Sequence, residues 1–464
     1  MSRLTLAIFG LAALLSSAAC RATPSQPRQT ATPAQRAEQG TPAQSSATQP
    51  DSQGDATLEP ADVEATALRI AKAVAEARAL PLIREVAIRV LDRKEIRAFA
   101  KDSLYEHNTP KKLHLLGRIE SSLGILRADA DAEAVILDLL ETAVMGIYDP
   151  KTKSLLVGSH VGKSMLSMVV GHEIAHGLQD MHFDLAKYQQ PLDGQSDAET
   201  ARTFLIEGDA QASYLAWVSG KGGLASIPDS VLDAQGDQML ALAGVIDNPI
   251  LARLLQLPYG DGAATVARIA RDHGWAAVDA LYADLPTTSE QMLHVDKLLA
   301  REPAMSIKTD SAELLVHLPG YRQVWTDELG EATLLAMLAD VASVKVARQA
   351  AAGWGGDRFV VIEQATDNAV RRLPIAVGVI AWDRSLDADE FETSFRAYLE
   401  AKMPGAFVLE RRGSEFLYAT RVTDESSRRL IATFGWQTFT VDSTNSTRST
   451  RSTRSTNKPA GGDR

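Results

Sequence analysis

A chain of 464 residues is too long for one ordinary hydrophobic core, so two or three folded parts are expected. Hydrophobic residues at 45% and charged residues at 23% belong to a soluble globular protein. A formal net charge of −11, spread along the sequence, argues against nucleic acid as a partner, and a single cysteine excludes an internal disulfide.

The first twenty residues read as an export signal: Ser2-Arg3 gives a positive start, Leu4 to Leu15 is apolar, and small residues lead to Cys20. The SSAAC segment resembles a bacterial lipoprotein cleavage site, which implies lipid on Cys20 and a membrane as partner through it. Ser17 departs from the usual leucine, so plain secretion is the alternative. Residues 21–58, rich in Pro, Gln, Ser, Thr and Ala, cannot bury enough surface to fold and read as a linker. Periodicity then predicts a helix over 61–80, a strand over Glu85–Leu91, and helices over 93–106, 110–124 and 129–143. Val144–Tyr148 and Ser154–Val157 flank the turn Asp149-Pro150-Lys151-Thr152 as a hairpin. Ser154–Val157 is either an internal strand or a sheet edge that could hold an extended substrate. His160, just beyond it, reads as a surface residue.

Next comes the apolar helical stretch MLSMVVGHEIAHGLQD, which contains His172-Glu173-Ile174-Ala175-His176. Residues four apart share a helix face, so both imidazoles can reach one metal ion. Glu173 sits one step round that face, placed to take a proton from water rather than to bind the metal. A third ligand is still needed, and two residues are candidates. His182 has the spacing of the HExxHxxGxxH pattern, but Gln179 stands where that pattern needs a glycine to turn the chain. Glu207, in FLIEGDA, lies at the end of an apolar run on a separate helix, before a glycine that permits close approach.

Mostly helical sequence continues to about 300. Thr287 and Glu290 fit a helix capping box. Beyond 350, Arg358–Glu363, Ile375–Trp382, Phe407–Arg411 and Phe416–Arg421 read as strands, with a helix over 387–402 and a hairpin turn at Gly413-Ser414. Gly353-Trp354-Gly355-Gly356-Asp357 reads as a tight turn carrying a packed tryptophan. The Ser-Thr-Arg repeats after 443 read as a disordered tail, and Asn445-Ser446-Thr447 matches a glycosylation acceptor that the bacterial reading of the signal makes irrelevant.

HEIAHGLQDMHFDL followed by LIEGDA resembles exported prokaryotic zinc metallopeptidases of the gluzincin type. The similarity extends through YDPKTKSLLV, PTTSEQMLH at 286–294 and AAGWGGDR at 351–358. It implies His172, His176 and Glu207 as ligands of Zn2+, Glu173 as catalytic base, and a peptide or protein substrate. Thermolysin carries an aspartate four residues after its third ligand; here that place is Gln211. The group that stabilises the tetrahedral oxyanion is expected to be Tyr259, in PYGDG, or His294. The expected fold is α+β: a mostly helical zincin-like domain at 59–305 with a small sheet and hairpin, then a C-terminal α+β domain at 306–440. The signal occupies 1–20, the linker 21–58 and the tail 441–464. A non-catalytic zinc-binding scaffold lipoprotein is the rival reading, but it has no use for Glu173.

Overall fold

The computed structural model describes residues 60–365 and 372–442, and the fold is α+β, with small sheets among many helices. The signal, Cys20, the linker and residues 443–464 of the tail with Asn445 lie outside the described residues, and the expected tail start at 441 is corrected, because Val441 and Asp442 end a strand. The first helices follow the expected order: α1 (Pro60–Arg78), α2 (Arg93–His107), α3 (Pro110–Leu123) and α4 (Ala132–Ala143). Their starts are set by short polar side chains. Asp92 forms a reciprocal capping box with Glu95, while Thr109 and Asp131 accept from backbone N–H groups of the first turn.

Three strands build the sheet beside the metal motif: β1 (Ala87–Leu91), β2 (Gly146–Asp149) and β3 (Ser154–Gly158), in the order β1-β3-β2. β2 and β3 form the expected antiparallel hairpin, and β1 adds to β3 in parallel. β3 is therefore the middle strand with both edges paired, and the possibility that Ser154–Val157 offers an edge to a substrate is excluded. β1 and β2 are the outer strands, and β2 is the one beside the helix that carries the histidine pair. Gly158 N donates to Met145 O, so in this register Ile147 and Asp149 face β3, and the N–H and C=O groups of Gly146 and Tyr148 face outward.

The helix α5 (Lys163–Phe183) packs on this sheet and on α1, burying Val169, Val170, Ile174 and Leu178 with Val63, Ile70, Val74, Leu155 and Val157. It runs unbroken through Gln179, because the left-handed residue that ends it is Asp184. Helix α6 (Ser196–Val218) crosses beside it. Then come α7 (Asp229–Ala243), α8 (Pro249–Leu257), a single π turn at Pro258–Gly262, α9 (Ala263–His273) and α10 (Trp275–Ala283).

The C-terminal region is built on a five-stranded antiparallel sheet of order β5-β6-β7-β9-β8. Its strands are β5 (Tyr321–Asp327), β6 (Trp354–Gln364), β7 (Ile375–Trp382), β8 (Val408–Arg412) and β9 (Glu415–Ala419), while Ser306–Thr309 (β4) and Phe439–Asp442 (β10) pair separately. Strand alternation divides the buried residues between its faces. Phe359, Val361, Ile380, Trp382, Phe416 and Tyr418 join the core shared with the helical region. Val360, Ile362, Val377, Val379 and Leu417 form a second core under Leu314 and Ile431. β5 went unread in the sequence because it is an edge strand, with Arg322 and Gln323 exposed.

Two local expectations need correction. The residue that caps the short helix Ser289–Leu293 is Thr288, not Thr287, with its hydroxyl accepting from Gln291 N. Glu290 is fully buried and pairs with Lys297 instead of capping. Trp354 belongs to the start of β6, where its indole N–H donates to Asp357, whose carboxylate also accepts from Leu329 N and Gly330 N. The GWGGD segment thus anchors the helix Gly330–Leu338 to the sheet.

Candidate metal centre

His172 and His176 lie one turn apart on α5 and both direct Nε2 toward Glu207 of α6. The two Nε2 atoms are 3.1 Å apart, and Glu207 Oε2 lies 3.2 Å from His172 and 3.3 Å from His176. Tetrahedral zinc with bonds of about 2.0–2.1 Å holds its ligand atoms about 3.3 Å apart, so this triangle has the size of one face of such a site. Two imidazoles and one carboxylate are also the donor set that zinc takes when a fourth position is kept open. Among the described residues this is the one cluster of His, Cys, Asp or Glu with metal-ligand spacing.

The approach of α6 depends on a glycine. A Cβ at Gly208 would lie 2.5 Å from the Gly262 carbonyl carbon, so the residue after Glu207 lets α6 meet the π turn backbone to backbone. That contact also places Tyr259, whose ring centroid is 5.4 Å from that of His172.

Glu173 faces the outer edge of β2. A Cβ at Gly146 would come within 2.9 Å of its Cγ, and the backbone N–H of Tyr148 favours its charged form. Burial nevertheless dominates and pushes the Glu173 carboxyl up to about 8. Its Oε2 has no hydrogen-bond partner. Glu207 behaves oppositely: burial disfavours its charge, but His176 and His172 hold it well below the usual carboxylate range. Burial also lowers the pKa of His172, whereas the Glu207 carboxylate overcomes burial at His176 and raises it to about 9. The four residues are only 1–2% exposed.

The sequence candidates divide clearly. His172, Glu173, His176, Glu207 and Tyr259 come together. His182 does not: it lies about 9 Å further along the helix axis than His176, and its Nε2 is 2.8 Å from the Pro81 carbonyl. His294 is also held elsewhere, with Nε2 2.8 Å from Glu331 Oε1, an ion pair that raises its pKa to about 9 against the effect of burial. His160 is half-buried beside Gly158 rather than exposed.

Three residues around the centre carried no clear signal in the sequence. Gln179 Oε1 lies 2.8 Å from His176 Nδ1, while its Nε2 donates to Ile206 O at 2.8 Å. Gln211, the residue at thermolysin's aspartate position, favours the charged form of His172, although Nδ1 of that histidine makes no hydrogen bond of normal geometry. Arg78, at the end of α1, reaches Asp209 of the EGDA segment with Nε at 2.6 Å and Nη2 at 3.1 Å. Asp209 therefore points away from the metal cluster.

Comparison with known proteins adds one match, to a family model described as a domain of unknown function (DUF8575), over residues 318–443. The match falls on the C-terminal sheet region and does not include the metal cluster. No curated protein and no solved structure matches the chain.

Proposed function

We propose that this protein is a zinc-dependent peptidase whose ion is held by His172, His176 and Glu207. The observation that carries the reading is Glu173: a buried carboxyl beside a metal-sized donor triangle, with one oxygen unpartnered. A purely structural metal site has no use for such a group. A zinc ion bound there supplies a Lewis acid that acidifies water to a pKa of about 7 and polarises a carbonyl. Glu173 would take the proton from the attacking water and pass it to the leaving amine. Tyr259, packed against His172, is the residue assigned to the oxyanion side. His294, committed to Glu331, is given no part.

An extended substrate would add to the outer edge of β2 beside Glu173, taking over the Tyr148 N–H that Glu173 engages in this structure. Export and acylation of Cys20 rest on the sequence alone; the mass of the mature amino terminus checks them. For activity, the test is a broad peptide library incubated with the wild-type protein. Cleavage that stops with a zinc chelator and returns with added zinc is expected. A zinc-loaded protein that cleaves nothing in the library contradicts the proposal.

A further inference from the structure

We infer that Gln179 is a positioning residue that fixes the metal-binding form of His176 and ties it to the helix carrying Glu207; the inference rests on the zinc reading above. Gln179 is three residues beyond His176 on the same face of α5, and it is 1% exposed. Its amide has two different neighbours. The Ile206 carbonyl only accepts hydrogen bonds, so the side facing it at 2.8 Å is the NH2 group. The carbonyl oxygen of the amide therefore faces His176 Nδ1, also at 2.8 Å. An acceptor at that distance requires Nδ1 to carry the proton, so the neutral, metal-binding ring directs its Nε2 lone pair at His172 and Glu207. One main-chain carbonyl thus sets the amide, and the amide sets the tautomer.

The same amide also fixes a distance. Ile206 immediately precedes Glu207, so the bond from Gln179 links the second histidine to the backbone that presents the carboxylate. At His172 the neighbouring amide is Gln211, which favours the ring's charged form, but Nδ1 makes no hydrogen bond of normal geometry there. The aspartate of the EGDA segment is engaged by Arg78 and Tyr282. Gln179 thus ties one histidine of the triangle to the helix that carries Glu207.

The test compares Gln179→Met, which keeps length but loses both hydrogen bonds, with Gln179→Glu, which keeps an acceptor for Nδ1–H and loses the donor to Ile206. Zinc affinity is read by chelator competition and ligand geometry by the absorption spectrum of the cobalt(II)-substituted protein. Thermal unfolding without metal reports whether each variant folds. Affinity should fall about 10–100-fold in Gln179→Met, and less in Gln179→Glu, with altered cobalt bands in both. If Gln179→Met does not fold, Gln179→Glu still tests the link to Ile206. Wild-type affinity together with an unchanged cobalt spectrum in the variants overturns this inference alone. Failure of the wild type to bind zinc overturns the metal reading and this inference with it.

Discussion

Glu207→Ala should strip the metal from the protein, and His182→Ala should leave it in place. The triangle formed by His172, His176 and Glu207 has sides of 3.1–3.3 Å, and removing one vertex leaves two imidazoles on a single helix. Loss of one of three protein ligands weakens zinc binding by orders of magnitude. His182 sits past the cluster and meets the Pro81 carbonyl, so its removal costs at most a surface hydrogen bond. Metal content after dialysis, measured on both variants, checks this. Zinc retained by Glu207→Ala and lost from His182→Ala would reassign the third ligand.

The second large effect concerns Arg78, whose side chain is 1% exposed. Its guanidinium bonds Asp209, reaches Asp279 at 2.7 Å and stacks over Trp275 at 4.5 Å. Asp209 is fully buried, and its remaining donors are the hydroxyls of Tyr282 and Ser213. Arg78→Met removes the cation and leaves a buried carboxylate without a counter-charge, a loss of about 3–5 kcal/mol. The double variant Arg78→Met with Asp209→Asn should recover part of that loss, because the uncompensated charge goes too. Urea denaturation of the single and double variants checks both statements. A single variant within about 0.5 kcal/mol of wild type, the scale of an ordinary surface substitution, contradicts this account of how α1 is held.

Legibility in the sequence followed the range of the interaction. The histidine pair and its glutamate were readable because their geometry is set within one helix. Glu207 was readable as a candidate because an apolar run and Gly208 accompany it, and the close contact of Gly208 with Gly262 bears out why a glycine follows. The early helices were readable from periodicity and the hairpin from its turn residues. Arg78 was not: 131 residues separate it from Asp209, and nothing local marks an arginine at a helix end as buried. In the sequence Gln179 marks only the absence of the glycine that the HExxHxxGxxH pattern needs. It became meaningful only when α6 brought the Ile206 carbonyl to it. Strand order behaved in the same way, since alternation identifies β2 and β3 but cannot say which keeps a free edge once β1 has paired.

The most direct test of the central claim is the behaviour of Glu173→Gln, measured for zinc content and for cleavage of a peptide identified with the wild type. Glutamine keeps the size of the side chain and removes the base, and residue 173 is not one of the three metal-spaced donors. The variant should therefore hold as much zinc as wild type while its hydrolysis rate falls by about 10²–10⁴-fold. A variant that holds its zinc and cleaves as fast as wild type contradicts the assignment of Glu173 as the base and the peptidase mechanism built on it.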